Sequence, residues 1–304
     1  MIKSITVTNY LGESLKMELA RPELSGFAIT SITGLGPGKA TINKTEVSTM
    51  DGDLYNSARV GARNIVISLR YLMKNTIEEA RQLSYKYFPL KRNIKLLIET
   101  DKRKAEISGY VESNEPDIFS KEEGAVISII CPYPYFYSAG SDGMNTIVFS
   151  GVEAMFEFPF SNESTSEDLI VMGSIQHKTE QLIRYLGDTE VGIVIKMHAV
   201  GEVRNVVIHN VTTREIMRID TDKLEAFTGS TIEAGDEITI VTIKGQKSIT
   251  LLRDGVEINI LNCLDKNVNW FSLHKGDNIF AYTAEYGNAN LQFKIEHRTI
   301  YEGV

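Results

Sequence analysis

The feature that most constrains the fold of this chain is an alternation of polar and apolar residues, which recurs along most of its 304 residues. It is clear in the segments SITVTNY, NIVISLRY, GAVISIIC and EVGIVIKMHA. A period of two places successive side chains on opposite faces of a β-strand. These segments are also rich in Ile, Val, Thr and Tyr, which suit a half-buried sheet surface. The sequence therefore predicts a mainly β protein.

One segment, NTIEEARQLSYKYFP at residues 75–89, has helical spacing instead. Asn75 is the predicted N-cap, with Glu78 three residues later as in a capping box. Pro89 is expected to end the helix because it cannot continue one. Five apolar residues fall on one helical face; they are Ile77, Ala80, Leu83, Tyr87 and Phe88. This is the one helix that the sequence predicts.

The segment CPYPYFYSAGSDG at residues 131–143 divides the chain in two. Pro132 and Pro134 hold it extended and offer no N–H to a sheet, and SAGSDG is typical of a linker. The charge balance also changes here, since residues 1–140 contain 18 basic and 16 acidic residues whereas the rest contain 14 and 24. We therefore expect a domain boundary near residue 140. In the second half, many short strands separated by turn signals predict a β-sandwich or barrel.

The glycine-rich stretch SITGLGPGKATINK resembles a phosphate-binding loop at first sight. A P-loop requires Gly-x-x-x-x-Gly-Lys-Ser/Thr, but here the first position is Thr33 and the last is Ala40. The dinucleotide-binding pattern fails as well, because Lys39 stands where its third glycine is needed. Both loops also rely on a following helix N-terminus, whereas ATINKTEV alternates like a strand. The stretch therefore predicts a turn between strands in which glycine supplies a positive φ.

Catalytic and metal-binding arrangements do not emerge from the sequence. The five histidines lack metal-ligand spacing, and Cys131 and Cys263 are expected to be buried free thiols. The acidic stretch 219–222 lacks the glycine and glutamate of a calcium loop, and we expect a strand end that runs into a turn. A glycosidase would need a carboxylate pair that the sequence does not single out. We therefore expect a protein that is not an enzyme, with no catalytic residue, metal or cofactor.

The charge and hydropathy patterns bear on partners. Neither half carries the clustered positive charge of a nucleic-acid-binding surface. The N-terminus lacks the apolar block of a signal peptide, and no apolar stretch approaches the ~20 residues that span a bilayer. We therefore expect neither sequence-specific binding of nucleic acid nor a membrane anchor.

Several stretches, taken in order, resemble siphophage distal tail proteins, also described as phage tail family or tail-component proteins. The glycine turn resembles one that follows an early strand in that family, and the segment CPYPYF resembles the motif that closes its N-terminal domain. The resemblance covers nearly the whole chain. The stretches that carry it are residues 34–40, 51–65, the helix before Pro89, 131–136, 235–240, 254–255 and 270–278.

The resemblance implies an architecture and a role. Residues 1–138 would form a β-barrel-like, ring-forming domain with one helix, residues 139–144 a linker, and residues 145–304 a galectin-like β-sandwich. Six copies would close a ring that joins the tail tube to the tail-tip hub of a phage baseplate and lets the tape-measure protein and then DNA pass. The chain would be a virion protein of the phage tail tip, assembled in the cytoplasm of the bacterial host.

The segment from residue 51 to residue 62 is a candidate inter-subunit contact. It lies between two predicted strands, and Tyr55, Arg59 and Arg63 are the residues expected to reach a neighbouring subunit. A ring of identical subunits uses such head-to-tail contacts. The alternative is an ordinary mobile hairpin tip.

Trp270 is the only tryptophan, and two interpretations of it stay open. Tryptophan is usually mostly buried, which favours a core aromatic. It could instead form a platform for sugar stacking. The C-terminal sandwich would then be a lectin-like host-adsorption module that binds cell-wall saccharide through Trp270, Tyr282 and Tyr286.

Overall fold

The computed structural model describes residues 1–49, 51–72, 76–140, 144–154, 173–266 and 268–304, most of which lie in strands. The mainly β fold predicted from the alternation is therefore confirmed. Predicted strand residues between 155 and 172, the predicted N-cap Asn75 and linker residues 141–143 lie outside the described residues. The α-helices among the described residues are α1 (Ile77–Tyr87) and α2 (Thr221–Thr228).

The strands follow one another as β1 (Ile2–Thr8), β2 (Ser14–Glu18), β3 (Phe27–Thr33), β4 (Ala40–Glu46), β5 (Asp53–Val60), β6 (Arg63–Tyr71), β7 (Asn93–Thr100), β8 (Lys104–Asp117), β9 (Gly124–Cys131), β10 (Phe136–Ser138), β11 (Asn145–Val148), β12 (Ser150–Ala154), β13 (Gly173–His177), β14 (Glu180–Tyr185), β15 (Val191–Gly192), β16 (Val194–Ala199), β17 (Arg204–Asn210), β18 (Glu215–Ile219), β19 (Glu237–Val241), β20 (Ser248–Arg253), β21 (Val256–Asn259), β22 (Ser272–Leu273), β23 (Gly276–Tyr286), β24 (Leu291–His297) and β25 (Ile300–Tyr301).

The chain divides into two compact units. One comprises Met1–Gly143 together with Ile300–Val304, and the other comprises Met144–Thr299. The division expected from the sequence placed every residue from 145 to 304 in the second domain. The structure instead returns the last five residues to the first unit, because β25 pairs with β10 there.

The first unit is built on an antiparallel sheet in the order β2-β1-β7-β8-β9-β6-β3. Alternation buries one face of these strands. Ile65 and Ile67 on β6 lie opposite Ile129 and Ile127 on β9, and all four side chains are fully buried. Burying a side chain of this size contributes about 2 kcal/mol, so these cross-strand pairs form the centre of the core.

The edges of this sheet are strands β2 and β3. No ladder joins them among the described residues, so the expected barrel-like domain is an open sheet. The chain passes from β2 to β3 through a 3-10 turn at Pro22–Leu24. Proline has no N–H to donate to a sheet, which suits a crossing at an open edge.

Helix α1 covers part of the first unit and begins one residue later than the predicted cap implies. Thr76 is the N-cap, and its hydroxyl accepts the N–H of Glu79 at 3.2 Å. At the other end of the helix, Phe88 is almost fully buried, and Ser84 contacts the hydroxyl of Tyr71 on β6 at 3.1 Å. The predicted helix is thus present and is held to the sheet by its apolar face.

The second unit contains two facing sheets, in the orders β11-β24-β16-β19-β20-β21 and β14-β23-β17-β18. Aromatic side chains join them. Tyr282 on β23 stacks on Phe293 on β24, with ring centroids 4.8 Å apart, and Phe149 packs against both rings. The predicted β-sandwich is therefore confirmed for this unit.

Helix α2 corrects one expectation. Residues 219–222 were expected to be a strand end and a turn, but Asp220 caps a helix by accepting the N–H groups of Asp222 and Lys223. The helix ends at Gly229, whose φ of 87° is left-handed. Asp at the N-cap and Gly after the last turn are ordinary helix boundaries, and Leu224 anchors the helix in the core.

Candidate functional site

Strands β4 and β5 form a two-stranded hairpin that is not part of the sheet of the first unit or of the two sheets of the second unit. Every residue of β4 is exposed, and so is every residue of β5 except the last. The sequence predicted that residues 51–62 form a loop, whereas the structure places Asp53–Val60 in a strand. Neither face of β5 is buried, and its sequence lacks the clear alternation that predicted β4 and the other strands.

The hairpin exposes large apolar side chains. Ile42 is 59% exposed, Leu54 is 48% exposed and Tyr55 is 68% exposed. An isolated two-stranded hairpin is at best marginally stable in water, and exposed apolar groups that cluster on one element mark interaction surfaces. Arg59 is also exposed on β5, opposite Thr41. Two of the three predicted contact residues, Tyr55 and Arg59, thus lie on an accessible surface.

Arg63 does not lie on that surface. It is 5% exposed, and its guanidinium donates hydrogen bonds to four backbone carbonyl groups. Its Nε donates to Pro134 at 2.6 Å, and its terminal nitrogens donate to Gly34, Gly36 and Glu302 at 2.5 to 2.6 Å. Four of the five N–H groups of its guanidinium are thus used inside the chain, which leaves Arg63 little surface for the inter-subunit contact suggested by the sequence.

The surroundings of Arg63 explain how an arginine can be buried here. Its guanidinium carbon lies 4.7 Å from the centroid of the Phe136 ring, a cation–π distance. Burial lowers the pKa of Arg63 from its ordinary value, but an arginine side chain stays charged in proteins. One side chain thus satisfies four backbone carbonyl groups, through a buried hydrogen bond to Pro134 and three partly buried ones.

The glycine turn that leads into the hairpin is fixed by close backbone packing. Gly34 has a φ of 84°, which confirms the predicted turn with positive φ. A Cβ atom at Gly34 would lie 2.1 Å from the carbonyl oxygen of Asn64. Only glycine allows this approach, so the turn, Arg63 and the start of β6 form one rigid base for the hairpin.

The C-terminal segment of the chain completes this base. Tyr301 pairs with Phe136, the N–H of Val304 donates to the carbonyl of Leu35 at 3.1 Å, and the Glu302 carbonyl accepts from Arg63. The guanidinium of Arg103 lies 4.4 Å from the centroid of the Tyr301 ring. Residues from five parts of the sequence therefore meet at the foot of the hairpin.

The three aromatic residues proposed for sugar stacking differ in how far their side chains are exposed. Tyr282 is 1% exposed and donates its hydroxyl to the Leu291 carbonyl at 3.1 Å, so it cannot stack on a ligand. Trp270 is half-buried beneath the Lys247 ammonium, 5.3 Å from the ring centroid, and the neighbouring Phe271 is the fully buried aromatic. Tyr286 is exposed at the end of β23.

Within the described ranges, no group of three or more His, Cys, Asp and Glu side chains could hold a metal ion. No described helix is long and apolar enough to cross a membrane. Burial raises the pKa of the Cys131 thiol to about 11, which leaves it protonated and unreactive at neutral pH. Cys263 is also buried, and its pKa is raised by the same cause.

Comparison with known proteins identifies a solved structure with a similar fold. No family model matches the sequence, and no curated protein matches it. Among solved structures, the chain is similar to SPP1 Dit (gp 19.1), described as a paradigm of the hub adsorption apparatus in phages that infect Gram-positive bacteria. The TM-score is 0.64 at 10% identity, and the alignment covers 98% of this chain and 99% of that chain.

Two chains of phage baseplates are also similar over almost their full length. One is from the phage P2 baseplate in its activated conformation with Ca (TM-score 0.45, 12% identity, 98% of each chain). The other is from the phage p2 baseplate in its activated conformation with Sr (TM-score 0.42, 12% identity, 97% of each chain). On the strength of the match to SPP1 Dit, the chain has the fold of a phage distal tail protein.

Proposed function

We propose that the chain is a structural component of a phage tail tip, in which six copies form a ring. The ring joins the tail tube to the tail-tip hub, and its lumen passes the tape-measure protein and then DNA. The observation that carries this proposal is the likeness to SPP1 Dit over 98% of this chain and 99% of that one. Such a role is mechanical and calls for no catalytic group.

The hairpin β4–β5 is the contact that we assign to ring closure. A ring of identical subunits needs a head-to-tail interface, in which one surface meets a different surface of the next copy. The hairpin exposes Ile42, Leu54 and Tyr55, with the adjacent Leu54 and Tyr55 on opposite faces of β5, and aromatic residues are enriched at the energetic centres of interfaces. The base formed by Arg63 and Gly34 holds its foot in one position.

The test is assembly of hairpin variants. We expect the double substitution Leu54→Ser and Tyr55→Ser to weaken subunit association by about tenfold or more, because it removes buried apolar contacts from the interface. The measurement is sedimentation velocity over a concentration series. Val256→Ser is the matched control, since Val256 is equally exposed but lies on β21 of the second unit. Equal assembly of all three proteins would overturn the assignment of the hairpin.

The location of the protein can be tested separately. As a tail-tip component assembled in the host cytoplasm, it should be present in purified virions. Gold-labelled antibodies against the chain should bind at the end of the tail in electron micrographs. Label confined to the capsid, or absent from virions, would contradict the proposed place in the particle.

A further inference from the structure

The outer face of the six-stranded sheet in the second unit carries a groove, which is lined by strands β11, β24, β16 and β19. Its volume is about 590 Å³, within the ~300 to 1,000 Å³ range of small-molecule sites. Its floor is formed by outward-facing residues of the alternating strands. The polar side chains that line it are Lys196, His198, Glu237, Thr239, Gln292 and Lys294.

The strand register arranges these side chains in two adjacent rows. In one row, Lys196 on β16 lies between Lys294 on β24 and Thr239 on β19. In the next row, His198 lies between Gln292 and Glu237. Directly opposite side chains on neighbouring strands are close enough to touch one ligand together. The groove therefore presents hydroxyl, amide, imidazole, ammonium and carboxylate groups within a small area.

The charges in the groove cancel. Glu296, which is mostly buried, lies beneath the two lysines, with oxygen atoms 2.9 Å from Lys196 Nζ and 3.6 Å from Lys294 Nζ. Glu237 supplies a second carboxylate at the edge. Two ammonium groups thus face two carboxylates. A polyanion would gain little electrostatic attraction here, whereas a neutral ligand with many hydroxyl groups could both donate and accept hydrogen bonds.

The groove also gives access to a histidine ring. The His198 side chain is 42% exposed, although its Nδ1 atom is itself buried. That atom lies 3.8 Å from Glu237, beyond hydrogen-bond distance, and has no hydrogen-bond partner among the described residues, so only the exposed part of the ring faces a ligand. Val148, half-exposed at one side, adds an apolar wall suited to the C–H face of a sugar ring.

We infer that this groove binds an uncharged oligosaccharide. The site is distinct from the aromatic residues considered in the sequence, since neither Trp270, Tyr282 nor Tyr286 lines it. The inference concerns the second unit by itself and does not depend on ring formation through the hairpin.

The test is a printed array of neutral oligosaccharides alongside phosphate- and sulfate-bearing ones, followed by titration of the best neutral probe. We expect the full chain to bind at least one neutral oligosaccharide. His198→Gln, Thr239→Val and Glu237→Gln should each weaken that binding by about tenfold, since each removes a hydrogen bond to the ligand. Thermal unfolding of each variant shows that the chain remains folded.

The opposite sheet provides matched controls. His209 and Thr283 face each other on β17 and β23, with Nε2 and Oγ1 3.5 Å apart, and His209→Gln and Thr283→Val should leave binding unchanged. Three results would overturn the inference: no neutral probe bound at millimolar concentration, binding confined to phosphate- or sulfate-bearing probes, or equal losses in the control variants.

Discussion

At the scale of single residues, Arg63 shows what a sequence can and cannot reveal. An arginine next to an exposed segment is most often a surface group, which is why it was expected to contact a neighbour. Its four acceptors belong to Gly34, Gly36, Pro134 and Glu302, which lie in three widely separated parts of the sequence. Their convergence is a property of the tertiary fold, and no local pattern marks it.

Arg63→Lys should destabilise the first unit by about 3 kcal/mol or more, because a lysine has three donors, lacks the planar fork, and cannot pair with all four carbonyl groups, of which that of Pro134 accepts a buried hydrogen bond. The free energy of unfolding in urea measures this. Arg59→Lys is the matched control, and because Arg59 is exposed its effect should stay within about 0.5 kcal/mol. Similar costs for the two substitutions would show that the buried hydrogen bonds contribute little.

His297 on β24 gives a prediction about pH. Its side chain is buried against the Tyr185 ring, its Nδ1 has no hydrogen-bond partner in the described chain, and burial lowers its pKa from 6.5. A lowered pKa in the folded state means that the unfolded chain binds the proton more tightly. The stability that His297 contributes is therefore full above about pH 6.5 and is lost as the pH falls through the folded-state value.

His297→Phe should accordingly flatten the dependence of the unfolding free energy on pH below about 6.5. The measurement is urea unfolding at several pH values between 5 and 8. The partly exposed His209 provides the control, since His209→Phe should keep the acid-sensitive slope. An unchanged slope in His297→Phe would show that another group titrates.

At the scale of elements, the sequence predicted the regular strands and helix α1 because each has a buried face, and a buried face imposes a period. Two elements were not predicted in this way. Strand β5 has no buried face and no clear alternation, so the sequence predicted a loop there, whereas its partner β4 was predicted from alternation although it is exposed as well. Helix α2 is short, but Asp220 before it and Gly229 after it were available as boundary signals.

The turn at the foot of the hairpin can be tested by two glycine substitutions. Gly34→Ala should cost about 3 kcal/mol or more, because a Cβ there would lie 2.1 Å from the Asn64 oxygen and the φ is 84°. Gly52→Ala is the control: its φ is 92°, but nothing lies within 4 Å of the added carbon, so only backbone strain of about 1 kcal/mol is expected.

The free energy of unfolding in urea, measured for both glycine variants, separates two costs. One is the clash of a Cβ at position 34 with the Asn64 oxygen, and the other is the strain of a positive φ. Equal destabilisation would mean that positive φ accounts for the whole cost, and the packing of Gly34 against β6 would then be dispensable. A larger effect at Gly34 would support a rigid base beneath the hairpin.

At the scale of the whole molecule, the change in charge balance near residue 140 predicted a boundary, and the short strands with turn signals after it predicted the β-sandwich of the second unit. The barrel-like first domain was implied by the resemblance to phage tail proteins, and the structure has an open sheet there instead. The fold as a whole is similar to that of SPP1 Dit. The return of Ile300–Val304 to the first unit was not predictable. That segment resembles any short strand in the sequence, and its partner strand β10 is separated from it by the entire second unit.

The central claim is that copies of this chain close a six-membered ring. The most direct measurement is the mass of the purified full chain by light scattering over a wide concentration series. The account predicts a species near six times 34.0 kDa, which dissociates more readily in the Leu54→Ser, Tyr55→Ser variant. A strict monomer or a dimer at every concentration would contradict ring closure by this chain.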